Sequence, residues 1–190
     1  MSEGTFHVHG PHDHELEHAA HSRDPFAGKI AVMTAIFATV GALFGYMGGA
    51  TQNEALLHKN DAAIKKTEAS DQWNFYQAKS SKQNLAELGA TLTSGEQQAR
   101  YKQEVERYKK EKEEIMGVAK GLEDKGKEAE HKSEASMHVH HRWAQAMTLI
   151  QISIALAAIT ILTRNTALQY IAYGVAAASI AIGGLAVAHV

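Results

Sequence analysis

Six histidines precede the first apolar run, His7, His9, His12, His14, His18 and His21, and they are interleaved with Asp13, Glu15 and Glu17. Imidazole suits zinc, copper and nickel, and carboxylates can complete a coordination shell, so transient chelation by such a tail is chemically easy. If residues 12–21 are helical, His14, His18 and His21 share a face. A polar interfacial tail without a dedicated metal is the alternative. His138, His140 and His141 form a second cluster one helical turn before Trp143, with His58 able to approach it from the other side of the insert. It points to metal binding, to pH sensing near the ordinary imidazole value, or to headgroup anchoring beside Arg142 and Trp143. No carboxylate pair, serine triad or phosphate loop accompanies either cluster, so no enzymatic activity is expected. The chain has no cysteine, which excludes disulfides, thiolate zinc sites and a cysteine nucleophile.

The elements that carry these histidines are set by charge. Uncharged runs cover 30–50, 143–163 and 165–188, each longer than the roughly 18 residues that license a membrane-spanning helix. They divide the 190 residues into a His-rich polar tail (1–29), a first span (30–50), a charged insert (51–142), and second and third spans (143–163 and 165–188). Of the 19 Lys and Arg, only Arg23, Lys29 and Arg164 lie outside the insert, and of the 21 Asp and Glu only Glu3, Asp13, Glu15, Glu17 and Asp24 do. The insert is therefore a neutral polyampholyte. A net charge of −2 leaves no basic excess for phosphates, so nucleic acid is not an expected partner. The first apolar run lies behind an acidic tail and reads as a retained anchor rather than a cleavable signal. Lys and Arg on both sides of the spans leave the orientation open.

Within the insert, Leu57, Ile64, Ala78, Leu85 and Leu92 recur at seven-residue intervals, with Asp71 at the intervening position. A second repeat, in steps of four and three, runs through Tyr101, Val105, Tyr108, Lys112, Ile115, Ala119, Leu122, Gly126, Ala129, Ser133, Ser136, His140 and Trp143. Between them, Thr93 precedes Glu96 and Ser94 precedes Gln97 in capping-box spacing, and Gly89 is placed to close the preceding helix. The expected fold is all-α: three transmembrane helices with a long antiparallel, coiled-coil-like helical hairpin between the first and second. At 1.5 Å per residue the hairpin spans roughly 55 to 70 Å. Gly117, Gly121 and Gly126 weaken the returning arm, and a break is expected between Gly121 and Gly126.

In hydrocarbon, close helix contact needs small residues. Gly41, Gly45 and Gly49 supply two consecutive GxxxG units in the first span, a packing face either within the chain or between chains. Gln151 lies well inside the second span, where an unpaired amide costs several kcal/mol, so it is expected to face protein.

The His-rich tail, the stretch Ala69-Ser70-Asp71-Gln72-Trp73-Asn74-Phe75-Tyr76-Gln77-Ala78-Lys79-Ser80, and Thr148-Leu149-Ile150-Gln151-Ile152-Ser153-Ile154-Ala155-Leu156 with Leu162-Thr163-Arg164 resemble domain of unknown function 4337 (DUF4337). The resemblance implies a multi-pass protein of the bacterial inner membrane with three spans and a helical insert, and it implies no activity. In the central stretch, Trp73, Phe75, Tyr76 and Gln77 cannot all face one seam, because neighbours on a helix are about 100° apart. They form an exposed aromatic patch for a partner, or pack on Tyr101, Tyr108 and Val105. The expected function is structural: a membrane-embedded protein that self-associates, or docks as a subunit onto a larger membrane complex, through its stalk and small-residue faces. The alternative is divalent transition-metal binding or transport through the two histidine clusters.

Overall fold

The computed structural model describes residues 24–188. Asp24 caps the first helix: its Oδ1 accepts the Phe26 amide at 3.1 Å and its carbonyl accepts the Gly28 amide at 3.1 Å. Pro25 occupies the first helical position, where a missing N–H costs nothing. Three helices follow, α1 (Pro25–Leu92), α2 (Gly95–Thr163) and α3 (Thr166–Val187), with no strand among the described residues. Each contains a stretch long and apolar enough to cross a membrane.

The α1–α2 turn differs from expectation in its chemistry. Gly95 carries it at φ +65°, the left-handed region that glycine enters without a Cβ penalty. Gly89 lies inside α1 rather than at its end. Thr93 Oγ1 donates to the Gly89 carbonyl at 2.7 Å and Gln98 Nε2 to the Ala90 carbonyl at 3.0 Å. Both side chains satisfy carbonyls left open at the end of α1, so the Thr93 hydroxyl works backwards on α1. Nor does α2 break between Gly121 and Gly126; it is continuous over 69 residues. A glycine costs about 1 kcal/mol in a helix interior, too little to interrupt a helix packed along a neighbour. At the α2–α3 turn Arg164 has φ 51°, and its amide donates to the Thr160 carbonyl at 2.9 Å. Its guanidinium holds Asp24 Oδ2 at 2.6 Å, and Asn165 Oδ1 caps α3 by accepting the Ala167 amide at 2.9 Å.

The described residues form two compact units. In the first, 24–45 and 144–185, Ile30, Met33 and Phe37 of α1 are buried with Ile150 and Ala157 of α2 and with Ala172 and Ala176 of α3. Its buried hydroxyls are all satisfied: Ser153 and Thr160 by carbonyls of their own helix, and Ser179 by the Ala146 carbonyl across the helix pair at 2.6 Å.

In the second unit, chiefly 46–143, Ala55, Lys59, Trp73, Lys79, Gln83 and Ala90 of α1 meet Ser133, Glu130, Glu123, Glu111, Lys112 and Gln98 of α2, respectively. From Ala55 to Ala90 the partner's number falls from 133 to 98, with Lys79 and Gln83 meeting the adjacent Glu111 and Lys112. On α2 the expected repeat is the contact stripe: every member is buried or half-buried except the marginally exposed Tyr101. On α1 the expectation is overturned. Leu57, Ile64, Leu85 and Leu92 are 54–76% exposed. Gly48, Ala55, Ala62, Ala69, Tyr76, Gln83 and Ala90, at the same seven-residue interval in another phase, face α2 instead. Small side chains let the two backbones approach: a Cβ on Gly126 would meet the Ala62 carbonyl oxygen at 3.6 Å. Leucines in that stripe would hold the helices apart.

Candidate functional site

The glycine face of the first span is split. A Cβ on Gly41 would lie 3.1 Å from Ile150 Cγ2, and one on Gly45 would lie 3.5 Å from Met147, so both pack on α2 within the chain. Gly49 is exposed, with nothing within 4 Å of its Cβ position. Gly48 takes the place in the contact, 3.4 Å from Trp143 Cβ. Four-residue steps drift around a helix, whereas contact with a neighbouring helix recurs every seven. Gly41, Gly48 and Ala55 keep that phase, a signal in the sequence that the GxxxG spacing obscured.

Gln151 is turned away from the helix contacts described above. It is exposed on α2 and has no hydrogen-bond partner among the described residues. Thr148, Ala155 and Ala158 are exposed with it, at steps of three and four that place all four on one face. The second span therefore turns its amide outward within a strip of small side chains.

The aromatic stretch divides along the helix. Trp73 donates its indole N–H to Glu123 Oε1 at 2.7 Å and stacks edge-on to Tyr76 at 5.5 Å, while Lys112 Nζ lies 4.9 Å from the Tyr76 ring centroid. Phe75 is 60% exposed and Gln77 is exposed. The half that turns inward meets Lys112 and Glu123. Tyr108 is occupied by cations, with Arg107 at 4.8 Å and Lys79 at 5.7 Å from its ring centroid.

One electrostatic junction was not singled out from the sequence, because charges at i and i+7 of one helix gave no sign of a shared partner on another. Glu130 receives Lys59 at 2.8 Å and Lys66 at 2.6 Å. These hydrogen bonds, then the two positive charges, pull its carboxyl down to about 2. Lys79, bound at 2.6 Å, likewise holds Glu111 below the ordinary range.

The first histidine cluster, His7 to His21, lies outside the described residues. In the second, the three side chains take different environments. His140 Nδ1 lies 2.8 Å from the Gly48 carbonyl oxygen, His138 is exposed at the edge of a cleft, and His141 is exposed with its ring 5.7 Å from that of His140. His58 sits 4.0 Å from Glu54 on its own helix. Among the described residues no three His, Asp or Glu side chains converge as metal ligands.

The cleft beside His138 has a volume of about 350 Å³ and lies between the two helices of the second unit. Thr51 and Glu54 line it from α1, and Ala135, Ser136, His138, Val139 and Arg142 from α2. Comparison with curated proteins and with solved structures returns no match. The family described as "Domain of unknown function (DUF4337)" matches residues 26–189, nearly the whole chain and all three helices, and the chain belongs to that family.

Proposed function

We propose that the protein is a non-enzymatic, multi-pass scaffold of the bacterial inner membrane that self-associates through the outward face of its second span. In this reading α1, α2 and α3 each cross the bilayer, and the charged insert is an antiparallel, coiled-coil-like hairpin in water. The alternation of small and apolar contact residues and the descending cross-helix pairs support the hairpin.

Gln151 carries the self-association. Its place near the middle of an uncharged span puts an amide against lipid unless another chain covers it, and an amide without a partner in hydrocarbon costs several kcal/mol. An amide both donates and accepts, so Gln151 pairs with its own copy about a two-fold axis. Thr148, Ala155 and Ala158 on the same face allow the close approach this needs. The exposed Leu57, Ile64, Phe75, Leu85, Leu88 and Leu92 offer a second surface through which the hairpin docks onto a larger assembly.

Because the chain has no cysteine, single cysteines report contacts without background. Thr148→Cys, Gln151→Cys and Ala155→Cys should form disulfide dimers in native membranes, whereas Ala157→Cys, buried within the chain, should not. Native mass measurement in mild detergent should give a dimer or higher state that Gln151→Leu weakens. A lone chain in both experiments rejects the proposal.

A further inference from the structure

The cleft between Thr51, Glu54 and Arg142 has the composition of a zwitterion site. Arg142 is half-buried on its wall and has no carboxylate in ion-pair reach among the described residues. A guanidinium held in a concave, partly desolvated place without a counter-charge is a ready anion receptor, and its planar fork matches two phosphate oxygens. Ser136 is half-buried, without a hydrogen-bond partner of its own among the described residues, and it adds a hydroxyl to the lining of the same cleft. His138 adds a ring nitrogen at the rim.

Opposite them stands a single carboxylate, Glu54. Its side chain is 60% exposed, and among the described residues the His58 ring lies 4.0 Å from it, beyond hydrogen-bond distance. Thr51 does not compete as a donor, since its hydroxyl already donates to the Met47 and Gly48 carbonyls. Ala135 and Val139 give the cleft an apolar lining. Cation and hydroxyl on α2, carboxylate on α1 and an apolar wall between them suit a ligand with a phosphate at one end and a protonated amine at the other. A volume of about 350 Å³ falls in the range of small-ligand sites.

The sequence position names the source of that ligand. Thr51 immediately follows the first apolar run and Arg142 immediately precedes the second, with Trp143 next to it, so the lining residues belong to the stretch that meets lipid headgroups. We infer that this cleft binds the headgroup of a primary-amine phospholipid, with the phosphate on Arg142 and Ser136 and the ammonium on Glu54. It rests on the membrane-spanning reading but not on self-association. A primary ammonium donates hydrogen bonds to Glu54, which a quaternary trimethylammonium cannot do. The site therefore selects phosphatidylethanolamine over phosphatidylcholine, and Glu54 repels a purely anionic headgroup.

The full chain, exchanged in mild detergent against equimolar phosphatidylethanolamine, phosphatidylcholine and phosphatidylglycerol, is read by native mass spectrometry. Phosphatidylethanolamine should be retained about tenfold over phosphatidylcholine, the scale of one hydrogen bond to a charged group. Glu54→Gln should erase that preference while leaving phosphatidylcholine retention unchanged. Arg142→Gln should lower retention of all three lipids, Arg142→Lys should restore part of it, and Lys127→Gln, an exposed control, should change nothing. Equal retention of phosphatidylethanolamine and phosphatidylcholine by the unaltered chain, preference for phosphatidylglycerol, or an unchanged Arg142→Gln variant each overturns the assignment. Soluble O-phosphoethanolamine, added in place of lipid at the same concentration, should not bind measurably; binding as tight as the lipid's would make a free phosphate ester the ligand and overturn the lipid source. Circular dichroism at 222 nm checks that the variants keep their helix content. Because the readout is bound lipid per chain, a failure here leaves the Gln151 crosslinks unaffected, and the reverse also holds.

Discussion

Leucine placed at Gly121 and at Gly126 should move stability in opposite directions, although the two sites share one helix and lie little more than one turn apart. In a helix interior either change gains about 0.8 kcal/mol of intrinsic propensity, because glycine surrenders more backbone freedom than leucine. At Gly121 that gain is the main effect, since nothing lies within 4 Å of the Cβ position. At Gly126 the Cβ already meets Lys65 Cβ and Lys66 Cγ at 3.5 Å and the Ala62 carbonyl oxygen at 3.6 Å. An alanine fits there at ordinary contact. The further carbons of leucine do not, and the obstacle is backbone: Ala62 is 2% exposed and cannot swing aside as a side chain would. Overpacking of this kind costs about 1–3 kcal/mol, which exceeds the propensity gain over most of its range. The two variants should therefore differ by about 1–3 kcal/mol, with Gly121→Leu above the parent and Gly126→Leu at or below it. For a chain of this size that is a gap of roughly 2–12 °C in Tm. The assay is thermal melting of the full chain in mild detergent, followed by circular dichroism at 222 nm. If Gly126→Leu melts as high as Gly121→Leu, the close approach of α1 and α2 at Ala62 is refuted.

Glu130→Gln should give a small fall in Tm at pH 7, because the carboxylate sits between two lysines. With its folded value at about 2 against an ordinary value near 4.5, its contribution is complete above pH 4.5 and fades as pH falls toward 2. The difference from the parent protein should accordingly vanish in acid, and a constant difference across a pH series of melts would show another cause. Trp73→Phe removes the indole N–H donated to Glu123 and should cost about 1 kcal/mol. A double-mutant cycle with Glu123→Gln checks whether the loss belongs to that pair. Elemental analysis after equilibration with zinc, copper or nickel should find no fixed stoichiometry. A stoichiometric ion lost on deletion of residues 7–21 would instead favour the metal-handling reading.

The helical class and the three apolar stretches were legible because they rest on long-range composition, which one or two unusual residues cannot alter. The α2 contact stripe was legible too: its step of four and three is unbroken from Val105 to Trp143, and no rival phase on that helix is more apolar. On α1 the rule that the most hydrophobic stripe faces the neighbour chose Leu57, Ile64, Leu85 and Leu92, and it failed. The competing phase contains glycine and alanine, which score poorly on hydrophobicity yet permit the closest approach. For Gln151 the sequence left one question open. Burying an amide in protein is the cheaper arrangement, but sequence does not say whether the protein is the same chain or another.

The α1 contact stripe and the outward Gln151 have one physical content. Burying alanine removes little apolar area from water, so an Ala-lined seam gains less per residue than a leucine one at about 0.8 kcal/mol per buried CH₂. The cross-helix ion pairs do little to make up the difference, since exposed pairs contribute about 0–1 kcal/mol each. The side chains that would stabilise the pair most are turned away from it: Leu57, Ile64, Phe75, Leu85, Leu88 and Leu92 all lie on the open side of α1. A helix pair that keeps its thin residues for itself and offers its bulky ones outward is arranged for further contact. The second apolar stretch does likewise, packing Ile150, Ser153 and Ala157 inward while offering Gln151 outward. In the proposed membrane arrangement both surfaces thus retain an unmet demand, apolar in the charged insert and polar in the second apolar stretch. Association with a further chain, as proposed, would meet both without altering a contact inside this one.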